Sequence, residues 1–208
     1  MRHWASVALL TLALGLVACV QSESKSQTRS NEPVVGGGEA MEAAFAGMPR
    51  SLASRARIAP EGEPGMRLRL SGIVKNQDGS PAPGIIVYAY HTDRNGQYPR
   101  AETRHGRLRG WAKTDANGRY EFETIRPGAY PGGADPEHIH MHVIEPGRCT
   151  YWISDVRFAD DPLLKRARPE PEPKRGGSGL ATPTKEGDVW MVRRDIILGL
   201  NVPGWRAP

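Results

Sequence analysis

The chain has 208 residues, a formal charge of +5 from 28 lysines and arginines against 23 acids, and only two cysteines. That length holds one domain of ordinary size with appendages. The positive excess is modest and scattered, with no basic stripe interleaved with aromatics, which argues against nucleic acid as a partner; two cysteines cannot build a disulfide framework.

Arg2 precedes a run from Ala5 to Ala18 that is almost wholly apolar, with small residues toward its end. This is the charged start and short apolar core of an export signal over residues 1–18, too short to cross a bilayer comfortably. Leu16, Val17, Ala18 and Cys19 resemble the lipobox of bacterial lipoproteins. The resemblance implies cleavage before Cys19, lipid on its thiol, and a protein anchored to a membrane and facing the periplasm or cell surface. Cys149 is then the only free thiol, so no intramolecular disulfide forms and the fold rests on its core. Residues 19–38, rich in Ser, Gln, Asn and Gly, read as a lipidated flexible tether. Residues 39–65 read as a short helix and a connector. Met41, Ala44, Phe45 and Met48 fall at helical spacing, and Pro60, Gly62, Pro64 and Gly65 break regular structure after Arg57.

From Met66 to Pro208 the grammar is that of strands. Leu68, Leu70 and Ile73 alternate with polar residues, Asn76 to Gly79 turns the chain, and Ile85 to Tyr90 is an apolar run. Gly110 to Ile125 repeats this around the turn Asp115 to Gly118, and Met141 to Ile144 adds another strand. Leu163 to Gly187, with its prolines and paired glycines, reads as a long surface loop. Asp188 to Leu198 reads as a terminal strand that rejoins the sheet. Short strands between Gly, Asn and Asp turns predict a mainly β protein, a β-sandwich.

His138 and His140 stand two residues apart, a spacing that on a strand points both rings to one side, where one metal ion can meet them. Upstream lie Gly96-Gln97-Tyr98 and Thr124-Ile125-Arg126-Pro127-Gly128-Ala129-Tyr130-Pro131, followed by Pro136-Glu137-His138-Ile139-His140. Downstream are Phe158-Ala159-Asp160-Asp161-Pro162-Leu163 and Asp195-Ile196-Ile197-Leu198. In order and spacing these segments resemble the intradiol ring-cleavage dioxygenases, such as protocatechuate 3,4-dioxygenase and catechol 1,2-dioxygenase, from about Leu68 to Leu200. The resemblance implies a β-sandwich of that type and a non-haem Fe(III) site built from Tyr98, Tyr130, His138 and His140. Tyr98 and His138 would be equatorial, Tyr130 and His140 axial. It further implies a catechol-type substrate cleaved by O2 between its hydroxyls to a muconate-type product, with Tyr130 released as a proton acceptor. Two hard phenolates and two imidazoles suit ferric iron. His142 shares the face of the two histidines and is read as a neighbour rather than a ligand.

The sequence departs from the family where a pocket arginine and glutamine are common: Asp135 and Asp155 stand there. Their charge disfavours a carboxylated catechol unless Arg148, Arg157 or another base offsets it. The partners expected are thus a catechol-type molecule, O2 and a membrane through the lipid, with room for a homo-oligomer. Gly72-Ile73-Val74 with Asp78-Gly79, and Gly118 to Phe122, also resemble transthyretin-like or carboxypeptidase-regulatory binding modules. That alternative accounts for the strands but not for the tyrosines and histidines together. A dioxygenase fold kept as an inactive envelope lipoprotein accounts for both.

Overall fold

The computed structural model describes Met1 and residues 33–38, 41–133, 135–166 and 173–208. The expected signal beyond Met1, Cys19 and most of the tether lie outside the described residues. In chain order the strands are β1 (Arg55–Arg57), β2 (Arg67–Lys75), β3 (Ile86–Tyr90), β4 (Arg109–Lys113), β5 (Arg119–Ile125) and β6 (His138–Glu145). They continue with β7 (Cys149–Phe158), β8 (Leu180–Ala181), β9 (Thr184–Glu186), β10 (Val189–Arg193) and β11 (Ile196–Ile197).

Alternation along these strands sets the layers. In β2, Leu68, Leu70, Gly72 and Val74 are buried while Arg67 is exposed and Arg69 and Ser71 are partly so. Two sheets result, one in the order β1-β5-β2-β10-β9 with β11 also beside β2, the other in the order β4-β3-β6-β7-β8. Leu70, Phe122, Val87, Ile139, Met141, Tyr151, Ile153 and Phe158 fill the space between them. Each such side chain contributes about 1.5–3 kcal/mol through the area it withdraws from water. The chain is the β-sandwich that its turn spacing predicts.

The two Asx turns do not close hairpins. β2 and β3 lie in opposite sheets, as do β4 and β5, so Asn76–Gly79 and Asp115–Gly118 carry the chain across the edge of the sandwich. Asp115 Oδ1 accepts from the N–H groups of Asn117 and Arg119, both at 2.9 Å. Gly118 has φ 71°, and a Cβ there would meet Val74 O at 2.4 Å, so no other residue fits the crossing.

Two expectations need correction. The helical spacing after residue 40 produces only one 3₁₀ turn, Met41–Ala44. Gly47, at φ 71°, and Pro49 stop it, and Arg55–Arg57 is already a strand. The turn covers the outer face of β3, where Ala44 and Phe45 pack on Ile86, Tyr88 and Ile144. β3 is therefore buried on both faces, which is why its sequence is apolar throughout. The second correction concerns the proline-rich stretch. It holds a 3₁₀ turn, Pro162–Lys165, with Asp161 as its cap, and two short edge strands, β8 parallel to β7 and β9 antiparallel to β10.

Candidate metal centre

His138 and His140 open β6 on its outer face, while Ile139 and Met141 point into the core. His138 Nδ1 lies 2.7 Å from Pro136 O, and His140 Nδ1 lies 3.1 Å from Asp155 Oδ1. A carbonyl and a carboxylate only accept, so both Nδ1 atoms carry a hydrogen, and in each neutral ring it is Nε2 that presents the lone pair. Those two Nε2 atoms are 3.1 Å apart. Tyr130 Oη lies 3.2 Å from His140 Nε2 and 2.6 Å from Tyr98 Oη. Two phenol oxygens and two imidazole nitrogens thus converge from three separate segments.

The segments that deliver the tyrosines interlock through glycine. Asp93 Oδ1 accepts from Asn95 N at 2.8 Å and Gln97 N at 3.0 Å, folding the turn that presents Tyr98. Gly128 N–H donates to Asp93 O at 2.8 Å, and Thr92 Oγ1 donates to Gly128 O at 2.8 Å, which ties that turn to the loop carrying Tyr130. The approach is close enough that a Cβ on Gly96, at φ 75°, would lie 1.9 Å from Ala129 O, and one on Gly128 would lie 2.5 Å from Arg94 O. Buried Arg126 pairs with Asp160 through both terminal nitrogens at 2.8 Å and with Glu137 at 2.5 Å, over the Phe158 ring. Asp161 accepts from Glu137 N at 2.7 Å and from Leu163 N at 2.8 Å. The downstream Phe-x-x-Asp-Pro-Leu segment therefore clamps the residue that leads into His138.

The donor set tests itself against a cation. Burial raises the pKa of Tyr98 and of Tyr130, so without a cation both stay neutral phenols. Burial lowers that of His138, keeping it neutral. A chain of donors from Tyr98 through Tyr130 to His140 Nε2 satisfies three of the four groups, but the His138 Nε2 lone pair faces His140 Nε2 at 3.1 Å rather than a donor. An ion held between the two nitrogens would take up that lone pair and stabilise both phenolates. Ligands about 2 Å from one ion and 90–120° apart are roughly 3 Å from each other, which is the spacing observed. The residues fit a hard cation held by two oxygens and two nitrogens.

A family model described as Dioxygenase matches residues 44–169. The chain is 33% identical over 116 residues to the protocatechuate 3,4-dioxygenase beta chain of Burkholderia cepacia, a match covering 50% of this chain and 49% of that one. It is 32% identical over 111 residues to catechol 1,2-dioxygenase 1 of Acinetobacter lwoffii, covering 49% and 35%. The chain belongs to the intradiol dioxygenase family. It spans about half, or less, of the length of these two curated relatives. In fold, this intradiol dioxygenase family member is similar to the dioxygenase domain of a dioxygenase carbohydrate-binding protein fusion from Streptomyces sp. SirexAA-E. That match has a TM-score of 0.58 at 22% identity and covers 80% of this chain and 98% of that one. It is also similar to catechol 1,2-dioxygenase from Acinetobacter sp. ADP1, with a TM-score of 0.56 at 23% identity, covering 78% and 63%. Family membership sets aside the transthyretin-like alternative.

The remaining residues singled out in the sequence separate within this dioxygenase fold. Asp155 and Arg157 line a 210 Å³ cavity together with His140, Tyr90 and Trp152. Burial works to raise the Asp155 pKa, but His140, His138 and Arg157 more than offset it, so the carboxyl is held below the usual range. Asp135 lies close enough for its charge to act on Tyr130, and its carbonyl is 3.3 Å from Tyr130 N. Arg148 is not brought to the centre. It follows the far end of β6, roughly 25 Å along the strand from His138, where it pairs with Glu145, donates to Arg206 O and stacks on Trp205. His142 is a buried neighbour, its ring edge-on to Tyr88, Tyr90 and His105.

Sequence reasoning missed Tyr90 and His105. Tyr90 stands opposite His140 in the β3–β6 ladder and stacks on its ring at 4.6 Å, with His105 stacked on Tyr90 at 3.8 Å. Tyr90 is readable in principle, as the last residue of the apolar run that pairs with the histidine strand. His105 sits in a connecting loop with no motif around it.

Proposed function

We propose that the protein is a non-haem ferric intradiol dioxygenase that opens a catechol-type ring with O2 to a muconate-type dicarboxylic acid. The convergence of Tyr98 Oη, Tyr130 Oη, His138 Nε2 and His140 Nε2, with both histidine tautomers fixed, carries this reading. These four residues would hold Fe(III), which when bound supplies Lewis acidity and a one-electron acceptor for a chelated catechol. Tyr130 Oη, joined to both Tyr98 and His140, is the group placed to take up a catechol proton. Iron analysis with a visible spectrum, followed by oxygen uptake and muconate detection on catechol, tests the proposal. Bound iron without turnover would favour the inactive-envelope reading.

The charges near the centre predict the preferred substrate. Two carboxylates about 6 Å apart repel by roughly 3 kcal/mol at an effective dielectric of about 20. Arg157, in the same wall as Asp155, offsets part of this. Uncharged catechol is expected to surpass protocatechuate in kcat/KM by about tenfold, measured side by side. Faster cleavage of the acid would show that the charge felt by the substrate is set elsewhere than by Asp135 and Asp155.

The same proposal places the protein at the cell envelope, with residues 1–18 removed, Cys19 lipidated and residues 19–38 as tether to the catalytic sandwich. Cys19→Ser is expected to move the protein out of the detergent-extracted membrane fraction or leave it unprocessed. An unchanged distribution removes the anchor.

A further inference from the structure

Strand β7 sends Tyr151, Ile153, Val156 and Phe158 into the core. Strict alternation from Ile153 would send Asp155 there too. Instead the register against β6 slips between Ile139 and Met141, so that Ser154 and Asp155 together face His140. That is a β-bulge, which re-aims a side chain by inserting one residue. The inserted residue is held on several sides. Ser154 N–H donates to Arg175 O at 3.0 Å, and Ser154 Oγ accepts from Arg175 N at 3.1 Å. Arg194, only 2% exposed, reaches Ser154 O at 3.4 Å and donates to the carbonyls of Arg175, Gly176 and Gly177 at 3.0–3.2 Å. The loop that braces the bulge is thereby pinned as well. Asp155 emerges on the outer face, its Oδ1 3.1 Å from His140 Nδ1.

We propose that Asp155 is a positioning residue for His140: its carboxylate keeps the hydrogen on Nδ1 and turns the Nε2 lone pair toward Tyr130 and His138. What Nε2 then serves rests on the ferric reading above. Asp155 is not itself a ligand there. His138, His140 and Asp155 offer donor atoms within 4.8 Å of one another, but Asp155 addresses the Nδ1 edge, and an ion at Nε2 lies on the other side of the ring. A carboxylate behind a ligating imidazole also strengthens it as a donor. Loss of Asp155 therefore alters the centre before any substrate is present, which loss of a substrate contact would not do.

The full chain and its Asp155→Ala and Asp155→Asn variants, prepared metal-free at pH 8, are compared by ring-nitrogen NMR, with His140 assigned through His140→Gln. The unmodified protein and Asp155→Asn should show His140 as the Nδ1–H tautomer, and Asp155→Ala a mixture of both tautomers. On iron loading, Asp155→Ala should bind roughly 10–100-fold more weakly, with its phenolate-to-iron absorption moved to longer wavelength. An Nε2–H tautomer in the unmodified protein overturns the proposal, as does an Asp155→Ala variant unchanged in tautomer, affinity and absorption. Failure of the unmodified protein to take up iron overturns the ferric reading instead, and the NMR result still decides the role of Asp155.

Discussion

Replacing His140 with alanine is expected to strip the protein of iron and visible colour, and ring cleavage should fall below detection. Of the four donor atoms, His140 Nε2 is the one within hydrogen-bond distance of both Tyr130 and His138. Its loss opens the set at the centre. Removing a partner behind a ligand commonly costs 10–100-fold in metal affinity, so removing the ligand itself should exceed about 100-fold. Tyr98→Phe should act differently. It deletes one of two phenolates and leaves both imidazoles, so absorption should weaken while some iron remains. Neither residue belongs to the apolar core, and far-UV circular dichroism should be unchanged in both variants. A His140→Ala protein that is folded, coloured and loaded with iron would falsify the assignment of the centre.

Of the four residues proposed as ligands, Tyr98 and Tyr130 are singled out by the resemblance of their segments to the family's, and the structure shows the glycines of those segments to be required by backbone contacts under 3 Å. His138 and His140 are placed on one face by strand period, a local rule. The sandwich was legible for the same reason, since alternation and Asx turns are short-range signals. Asp155 was not. Its place in the sequence suggested a substrate contact, and only the bulge, a property of two strands together, turns it onto His140. Arg148 is named as a base that could offset the two aspartates, but β6 carries the chain to the opposite end of the sheet, where Arg148 pairs with Glu145. The short helix misled because three apolar spacings are met as well by one 3₁₀ turn lying on a sheet. In the proline-rich segment, edge pairing with β7 and β10 overrode a composition that reads as loop.

The metal-free protein is expected to lose about 3 kcal/mol of stability on acidification from pH 6.5 to pH 4 through His91 alone. His91 is fully buried, donates from Nδ1 to Thr92 O at 2.7 Å and meets Thr124 Oγ1 through Nε2 at 2.6 Å. The neutral ring is satisfied there, and burial pushes its pKa from 6.5 down to about 4. The sign follows from linkage. Between those values the unfolded chain binds a proton that the folded chain refuses, so the stabilisation is whole above pH 6.5 and lost as pH falls through about 4. A depression of this size corresponds to about 3 kcal/mol at 1.36 kcal/mol per unit, against a total of about 5–15 kcal/mol for a typical domain. His105, also lowered to about 4 by burial, steepens the same window. Asp160, held down by Arg126, adds its own loss only below the ordinary carboxylate value of 3.8. Urea unfolding at half-unit steps of pH measures the slope. His91→Gln, which fills the site with a group that does not titrate, should flatten the curve by about 3 kcal/mol between pH 6.5 and pH 4. Equal slopes in the two proteins would mean that the folded state accommodates the His91 proton and that its burial does not limit acid stability.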